Sequence, residues 1–480
     1  MKDSGCKSSI AKNAIFNAFY KSLSIIFPII SAGYAARVLT PEGIGHNAVA
    51  QNNVSYFLII ALLGIYTYSI REVARCRGDR EKLGKLFSEI LIINAFLTTI
   101  AIIAFVLCFF VFDVFKDDPT LYLICGIVLC VNYINFDWYF QATEEYRYIA
   151  IRSFAIKLFS LIMLFVLVRD KDDIYMLALL NSFAICGHYA LNVFYVRKMI
   201  SFTTKGLDLK KHIKPLVLLA LCGVSSELYS RMDISMLGIM KGESTVAYYT
   251  YAQRIVNLIV GFVIALTAVF LPRLSYYFAN NKEEFNRLTK MGTDMMIFAS
   301  FPICFGIVSI SYPLIEVWLG FDYSEVIPCL ILLAFIVPLK CIGDIVCYQV
   351  MICAGKEFVL MISYALTLTT NVIVNLLLIP GFGALGACIA SLISEVLVFF
   401  FVLIFARKYQ DYNIDLQNFV VVLISSIIMM ISVVFVENMI AFPLYKLFIG
   451  IPVGMAVFTI LNIIAGNSFL TKILLQRSKP

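Results

Sequence analysis

The chain reads as an all-α polytopic membrane protein of about fourteen transmembrane helices. Three observations predict that class. Of its 480 residues, 61% are hydrophobic and 14% charged, against about 45–50% and roughly 25% in soluble domains. The apolar runs are unbroken over about 20 residues, the length of a spanning helix and not of a ten-residue alternating barrel strand. The basic residues between the runs alternate from rich to poor, as they do when successive loops face opposite sides of a membrane. Together these exclude a soluble enzyme, a nucleic-acid-binding protein and a disordered regulator.

The spans follow in order. The first two are expected at 13–36 and 46–70, and 87–112 comes after the charged segment Arg71–Lys85. Then come 119–140, 149–168 and 174–196, closed by the basic segment Lys198–Lys214. A second series runs over 213–238, 246–271, 291–311, 326–350, 358–379 and 384–406. Two further spans, 416–436 and 440–465, complete the count.

With the N-terminus assigned to the cytoplasm, twenty-seven lysines and arginines fall in inside segments. Only Arg37, Lys116, Arg169, Lys171 and Lys241 fall outside. The bias supports an even helix number with both termini cytoplasmic, because a missed helix would scramble the alternation. The net charge of +7 reflects this anchoring. Met1–Lys12 is short and basic, and the apolar run after it is too long for a signal peptide. The 13 cysteines mostly sit in apolar runs without paired spacing, and there are three histidines, so small apolar filler is expected and a metal site is not.

A shift of 202 residues aligns two stretches: Ala50-Gln51 on Ala252-Gln253, Arg71 on Arg273, Asp79-Arg80-Glu81 on Asn281-Lys282-Glu283. Both lie at the second helix of a six-helix set and the charged loop after it. The expected organisation is two parallel six-helix repeats around a central cavity plus two extra helices. The boundaries are an N-terminal lobe over 1–200, a C-terminal lobe over 201–410, and two additional helices with a cytoplasmic tail over 411–480.

Charged residues inside spans are costly, about 2.5–3.5 kcal/mol near the bilayer centre on insertion scales, and normally face a partner or a cavity. Helix one carries Asn17 and Lys21 on one face; later spans carry Arg231, Arg254, Asn257 and Lys340. These suggest a positively lined cavity for an anionic substrate. Glu227, Asp233, Asp344, Asp137 and His188 are candidates for ion coupling or for charge pairing. Glu227–Arg231 and Lys340–Asp344 are four apart, so local ion pairs are an open alternative. Asn371 and Asn375 read as glue between helices, and Lys157 and Lys446 as snorkelling side chains. Asp137 precedes Trp138-Tyr139, which leaves an interfacial role open. Arg71, Glu72, Arg75 and Arg273 are candidates for cytoplasmic gates or hinges, with plain orientation signals as the alternative.

Four stretches carry a resemblance: Tyr68-Ser69-Ile70-Arg71-Glu72-Val73-Ala74-Arg75; Phe136-Asp137-Trp138-Tyr139-Phe140-Gln141-Ala142; Arg231-Met232-Asp233 through Ala252-Gln253-Arg254; and Leu271-Pro272-Arg273-Leu274. By their order and spacing the chain resembles the bacterial polysaccharide (O-antigen and capsule repeat-unit) flippases, in the multidrug/oligosaccharidyl-lipid/polysaccharide exporter superfamily. The likeness covers roughly residues 10–410. It implies a non-enzymatic carrier in the cytoplasmic (inner) membrane that moves an undecaprenyl-pyrophosphate-linked oligosaccharide by alternating access. No cofactor is expected beyond a proton or sodium gradient driving antiport. Expected partners are that lipid-linked oligosaccharide, membrane lipids, and the polysaccharide polymerase and chain-length machinery; nucleic acid is not one. Lys21, Arg231, Arg254 and Lys340 suit the pyrophosphate by position, not by motif. The alternatives are a multidrug exporter of the same superfamily, whose cavity would be acidic, and a membrane-embedded polymerase, which would carry a larger outer loop than the one near Tyr312–Glu325.

Overall fold

The computed structural model describes residues 26–76, 79–197, 203, 206–267, 269–411, 415–467 and 469–470. Each sequence-predicted span meets a helical segment among them. Ten helices are long and apolar enough to cross a membrane, and one bent pair makes an eleventh. Ile26–Val38 and Pro119–Ile134 are shorter apolar helices, and Lys210–Lys241 is a long helix with charges along it. Asn17 and Lys21 lie outside the described residues.

The chain forms two compact units, Met1–Arg231 and Met232–Pro480. In the first, α1 (Ile26–Val38) leads into α2 (Pro41–Leu62). Thr40 caps α2 through the Gly43 amide, and Pro41 occupies the first turn, where its missing N–H costs nothing. Then come α3 (Ile65–Cys76), α4 (Arg80–Val111), the short α5 (Asp113–Asp117), α6 (Pro119–Val131), α7 (Asp137–Ala142), α8 (Tyr146–Leu167) and α9 (Ile174–Val196). Helix α10 (Lys210–Lys241) runs through the division between the units. The second unit continues with α11 (Glu243–Ala265), α12 (Phe270–Asn280), α13 (Lys282–Trp318), α14 (Val326–Ala334), α15 (Ile336–Gly343), a π-helical segment Asp344–Gln349, α16 (Val350–Cys353), α17 (Glu357–Phe382) and α18 (Ala384–Ala406). The last helices, α19 (Leu416–Asn438) and α20 (Pro443–Ile464), pack on each other and on α13.

The sequence offset reappears in the helix starts. Helices α2 and α11 begin at 41 and 243, and α4 and α13 at 80 and 282. In both units the second span is broken. Leu63 and Gly64 separate α2 from α3 with φ of 23° and 78°, the left-handed region that glycine tolerates. Helices α11 and α12 meet at a bend of 51°.

Span four is broken as well. Between α6 and α7, Asn132–Ile134 is a 3-10 turn, and side chains satisfy the backbone it frees. Asn94 donates to the Asn132 carbonyl (2.9 Å), Asn132 to Thr98 Oγ1 (2.9 Å), and the Trp138 indole N–H to the Asn135 carbonyl (3.1 Å). Irregular backbone at membrane depth is tolerable only when its polar groups find such partners. Apolar length does not register these breaks, so the sequence predicts single spans at 46–70, 119–140 and 326–350 where the structure has jointed ones.

Each unit has its own cores. In the first, Ala50, Val54, Ala101, Phe105, Phe115 and Leu121 form one, and Tyr68, Phe87, Phe136, Trp138, Tyr139 and Phe140 another. The second is aromatic: the Phe87 ring lies 5.1 Å from Trp138 and 5.2 Å from Phe136. The Asp-Trp-Tyr-Phe stretch is therefore core, with Trp138, Tyr139 and Phe140 buried. In the second unit α17 and α18 touch so closely that a Cβ on Gly386 would stand 2.6 Å from the Leu378 backbone.

Candidate functional site

The first unit buries charge in ion pairs. Asp137, at the start of α7, receives His188 Nε2 at 2.8 Å, Asn192 Nδ2 at 2.8 Å and Arg152 Nη2 at 3.0 Å. Arg152 also donates to Asn192 Oδ1. Its guanidinium lies 5.3 Å from the Tyr148 ring centroid, and Tyr148 stacks on Tyr195 at 4.2 Å. The sequence predicts Asp137 and His188 but counts Arg152 among the loop charges. No spacing signal links 137, 152, 188 and 192; helix packing alone brings them together.

A second cluster was equally invisible. Glu89 is fully buried on α4. It accepts from the Asp208 amide (2.8 Å), Lys211 Nζ (2.7 Å) and His212 Nε2 (2.9 Å). His212 Nδ1 stands 2.5 Å from the Tyr68 hydroxyl. A neutral His212 satisfies both contacts, with Nε2–H donating to Glu89 and Nδ1 accepting from Tyr68. Thr203 donates its amide to Ser88 Oγ at 3.1 Å. The start of α10 is thereby tied to α3 and α4.

Further along α10, Glu227 and Arg231 form the local pair that their spacing allows, at 3.2 Å and partly exposed. Of the gate candidates, Glu72 receives both Arg71 Nε and Arg75 Nη1 at 3.0 Å, and Arg71 lies 5.5 Å from the Tyr68 ring centroid. Arg273 is exposed on α12. Asp79 caps α4 through the amides of Glu81 and Lys82; the Lys82 amide, then its ammonium at 3.1 Å, hold the Asp79 carboxyl below the usual carboxylate range.

The second unit treats its carboxylates differently. Asp233, 2% exposed, accepts from the Tyr249 hydroxyl, from Ser391 Oγ at 2.8 Å and from Asn375 Nδ2 at 2.6 Å. Asn375 also donates to Asn371 Oδ1 at 3.0 Å, and its own Oδ1 is buried without a hydrogen-bond partner among the described residues. Every one of these donors is neutral. Asn375 holds the Asp233 carboxylate and Asn371 holds Asn375, so the two asparagines join α17 to α10 as the expected glue between helices.

The alternative of a local Lys340–Asp344 pair is not what forms. Lys340 turns to Glu395 on α18 at 3.0 Å. Asp344 turns to Thr267 Oγ1 at 2.6 Å and Gln349 Nε2 at 2.7 Å. An α-helical turn joins the two residues, with the Asp344 amide donating to the Lys340 carbonyl, so the reason is competition: each side chain meets a partner elsewhere. Arg254 lies 5.7 Å from the Tyr251 ring centroid, and Asn257 is exposed three residues further along α11. Among the described residues no group of three or more His, Cys, Asp or Glu stands together as a metal site would require.

A bundle of membrane-crossing helices that keeps ion pairs and carboxylates inside its spans defines a class, the multi-pass membrane transporters. Within that class the comparisons are specific. The polysaccharide biosynthesis protein family matches residues 10–278, and the lipid II flippase MurJ family matches residues 159–453. The chain belongs to the polysaccharide biosynthesis protein family, on the flippase side of the exporter superfamily named above. A putative O-antigen transporter of Shigella dysenteriae is 26% identical over 403 residues, covering 82% of this chain and 98% of that protein. The solved lipid II flippase MurJ, in an inward closed conformation, shares the fold with a TM-score of 0.73 at 15% identity, over 95% of this chain and 98% of its own. An inward-facing multidrug resistance MATE family transporter shares it at 0.60 and 14% identity, over 80% and 93%. Both structural likenesses are of fold.

Proposed function

We propose that this lipid-linked polysaccharide flippase carries undecaprenyl-pyrophosphate-linked oligosaccharide repeat units from the cytoplasmic to the outer leaflet of the bacterial inner membrane. It works by alternating access, with both termini cytoplasmic, and delivers its cargo to the polymerase and chain-length machinery.

The observation that carries the reading is a set of cations on the helices: Arg231 on α10, Arg254 on α11 and Lys340 on α15. Arg231, Arg254 and Lys340 all retain part of their surface exposed. A pyrophosphate-sugar cannot cross about 30 Å of hydrocarbon unaided, because each unsatisfied polar group there costs several kcal/mol. Guanidinium and ammonium groups replace water around phosphate oxygens, arginine as a fork and lysine as a point charge.

Asp233 is the coupling-ion site in this reading. A proton or a sodium ion on its carboxylate leaves no opposite charge unpaired, and the buried Asn375 Oδ1 offers a further oxygen to either ion. Ion entry on one side and loss on the other then drives the cycle.

The test uses reconstituted protein and a fluorescent undecaprenyl-pyrophosphate saccharide. Flipping is read as the dye's exposure to an external quencher, with and without a proton or sodium gradient. Losing a charge-assisted phosphate contact of about 1.5–3 kcal/mol lowers the rate roughly ten- to a hundredfold in Arg254→Ala. Asp233→Asn flips without responding to the gradient. Unchanged flipping in Arg254→Ala, with efflux of small organic cations, would overturn the reading.

A further inference from the structure

We propose that Asp344 is a proton-binding site that sets the bend of the broken span α11–α12. The proposal goes beyond the transport reading, since it concerns one joint in the second unit and needs no substrate.

Thr267 lies in the break and is fully buried. Its Oγ1 stands 2.6 Å from the Ile264 carbonyl oxygen and 2.6 Å from Asp344 Oδ2. One hydroxyl carries one proton, so it serves one of these acceptors at a time. The first choice completes the end of α11. The second draws the joint toward span ten. Gln349 reinforces the second choice, donating Nε2 to Asp344 Oδ2 at 2.7 Å and reaching the Thr267 carbonyl at 3.4 Å. The π-helical turn makes this possible: five residues per hydrogen-bonded ring place 344 and 349 on one face, where an α-helix would turn them apart.

The arrangement is incomplete in a telling way. Gln349 is 3% exposed, and its Oε1 is buried with no hydrogen-bond partner among the described residues. An acceptor without a donor, on the side chain that already touches the carboxylate, is what a carboxyl proton satisfies. A proton from water adds to Asp344, the Gln349 amide turns over, and the carboxyl O–H donates to Oε1. The Thr267 hydroxyl, released by the carboxylate, returns to the Ile264 carbonyl, and the span straightens.

The charged surroundings leave the site free to titrate. Lys340 on α15 is engaged with Glu395 of α18. Cys341, Cys347 and Tyr348 on the same span and Tyr364 on α17 are further ionisable groups nearby. On α13, Gly292 packs on Ile345, and the ionisable residue at that level is Asp294.

The experiment uses the full chain in lipid nanodiscs. Nitroxide amino acids at the exposed positions 262 and 276 report the distance across the joint. Infrared difference spectra report the C=O stretch of a protonated carboxyl. On acidification the wild type gains the carboxyl band and the distance lengthens. Asp344→Asn lacks that band and stays at the long distance across the pH range. Thr267→Val keeps the band and loses the shift. A distance that still follows pH in Asp344→Asn, or a band that survives it, overturns the proposal. So does sodium at constant pH producing the shift that acid produces, which would make the site a cation site. Flipping is not read here, so failure of this proposal and failure of the transport reading are distinguishable.

Discussion

The first unit pairs its buried charges, and the second cages its carboxylates in neutral donors. Asp137 meets Arg152 at 3.0 Å, and Glu89 meets Lys211 at 2.7 Å. Asp233 and Asp344 meet hydroxyls and amides. The second unit also holds one pair, Lys340–Glu395 at 3.0 Å, with its lysine part exposed as Lys211 is. The difference is functional. Breaking a buried pair strands an opposite charge, which makes the pair a fixed structural element. A carboxylate among neutral donors can gain or lose a small cation without stranding anything. In the function proposed above, the first unit is the framework and the second is the part that answers to ions.

The comparison breaks most visibly if its largest effect fails. Asp137→Leu leaves the Arg152 guanidinium buried and uncompensated, a loss of about 3–5 kcal/mol. Asp233→Asn keeps a polar isostere among neutral partners and costs about 1 kcal/mol. Thermal unfolding in detergent orders the two, and equal losses would erase the distinction. Glu89→Gln falls between them at about 1.5–3 kcal/mol, because Lys211 can turn to solvent while His212 and the Asp208 amide lose their charged acceptor. The smallest effect is a control. Thr40 caps α2 through the Gly43 amide and Asp415 caps α19 through the Asn418 amide. Alanine at either costs about 1 kcal/mol, alike in both units, since helix capping is blind to the chemistry that separates them. A large inequality here would trace the first difference to general fragility of one unit.

Much of the frame was legible in the residues. Apolar runs located a helix for each of the predicted spans, and the offset of 202 anticipated the matched starts of α2 and α11, and of α4 and α13. The Glu227–Arg231 pair followed from its spacing. Lys340–Asp344, with the same spacing across an α-helical turn, did not, because Glu395 takes the lysine while Thr267 and Gln349 take the carboxylate. Arg152, Glu89, Thr267 and Gln349 carry no local signal. Each is one polar residue in an apolar helix, and its partner lies on another helix.

The sequence by itself determined that this chain crosses the membrane many times, and that it does so in two related halves with basic residues inside their spans. Those are consequences of hydrophobic length and of charge pattern along the chain, and both act residue by residue. The tertiary structure decided which charges are paired and which are held in neutral cages, and where the spans break. In a low-dielectric interior the cost of a charge or an open carbonyl depends on the nearest donor in space, and that donor is set by packing between helices far apart in the chain.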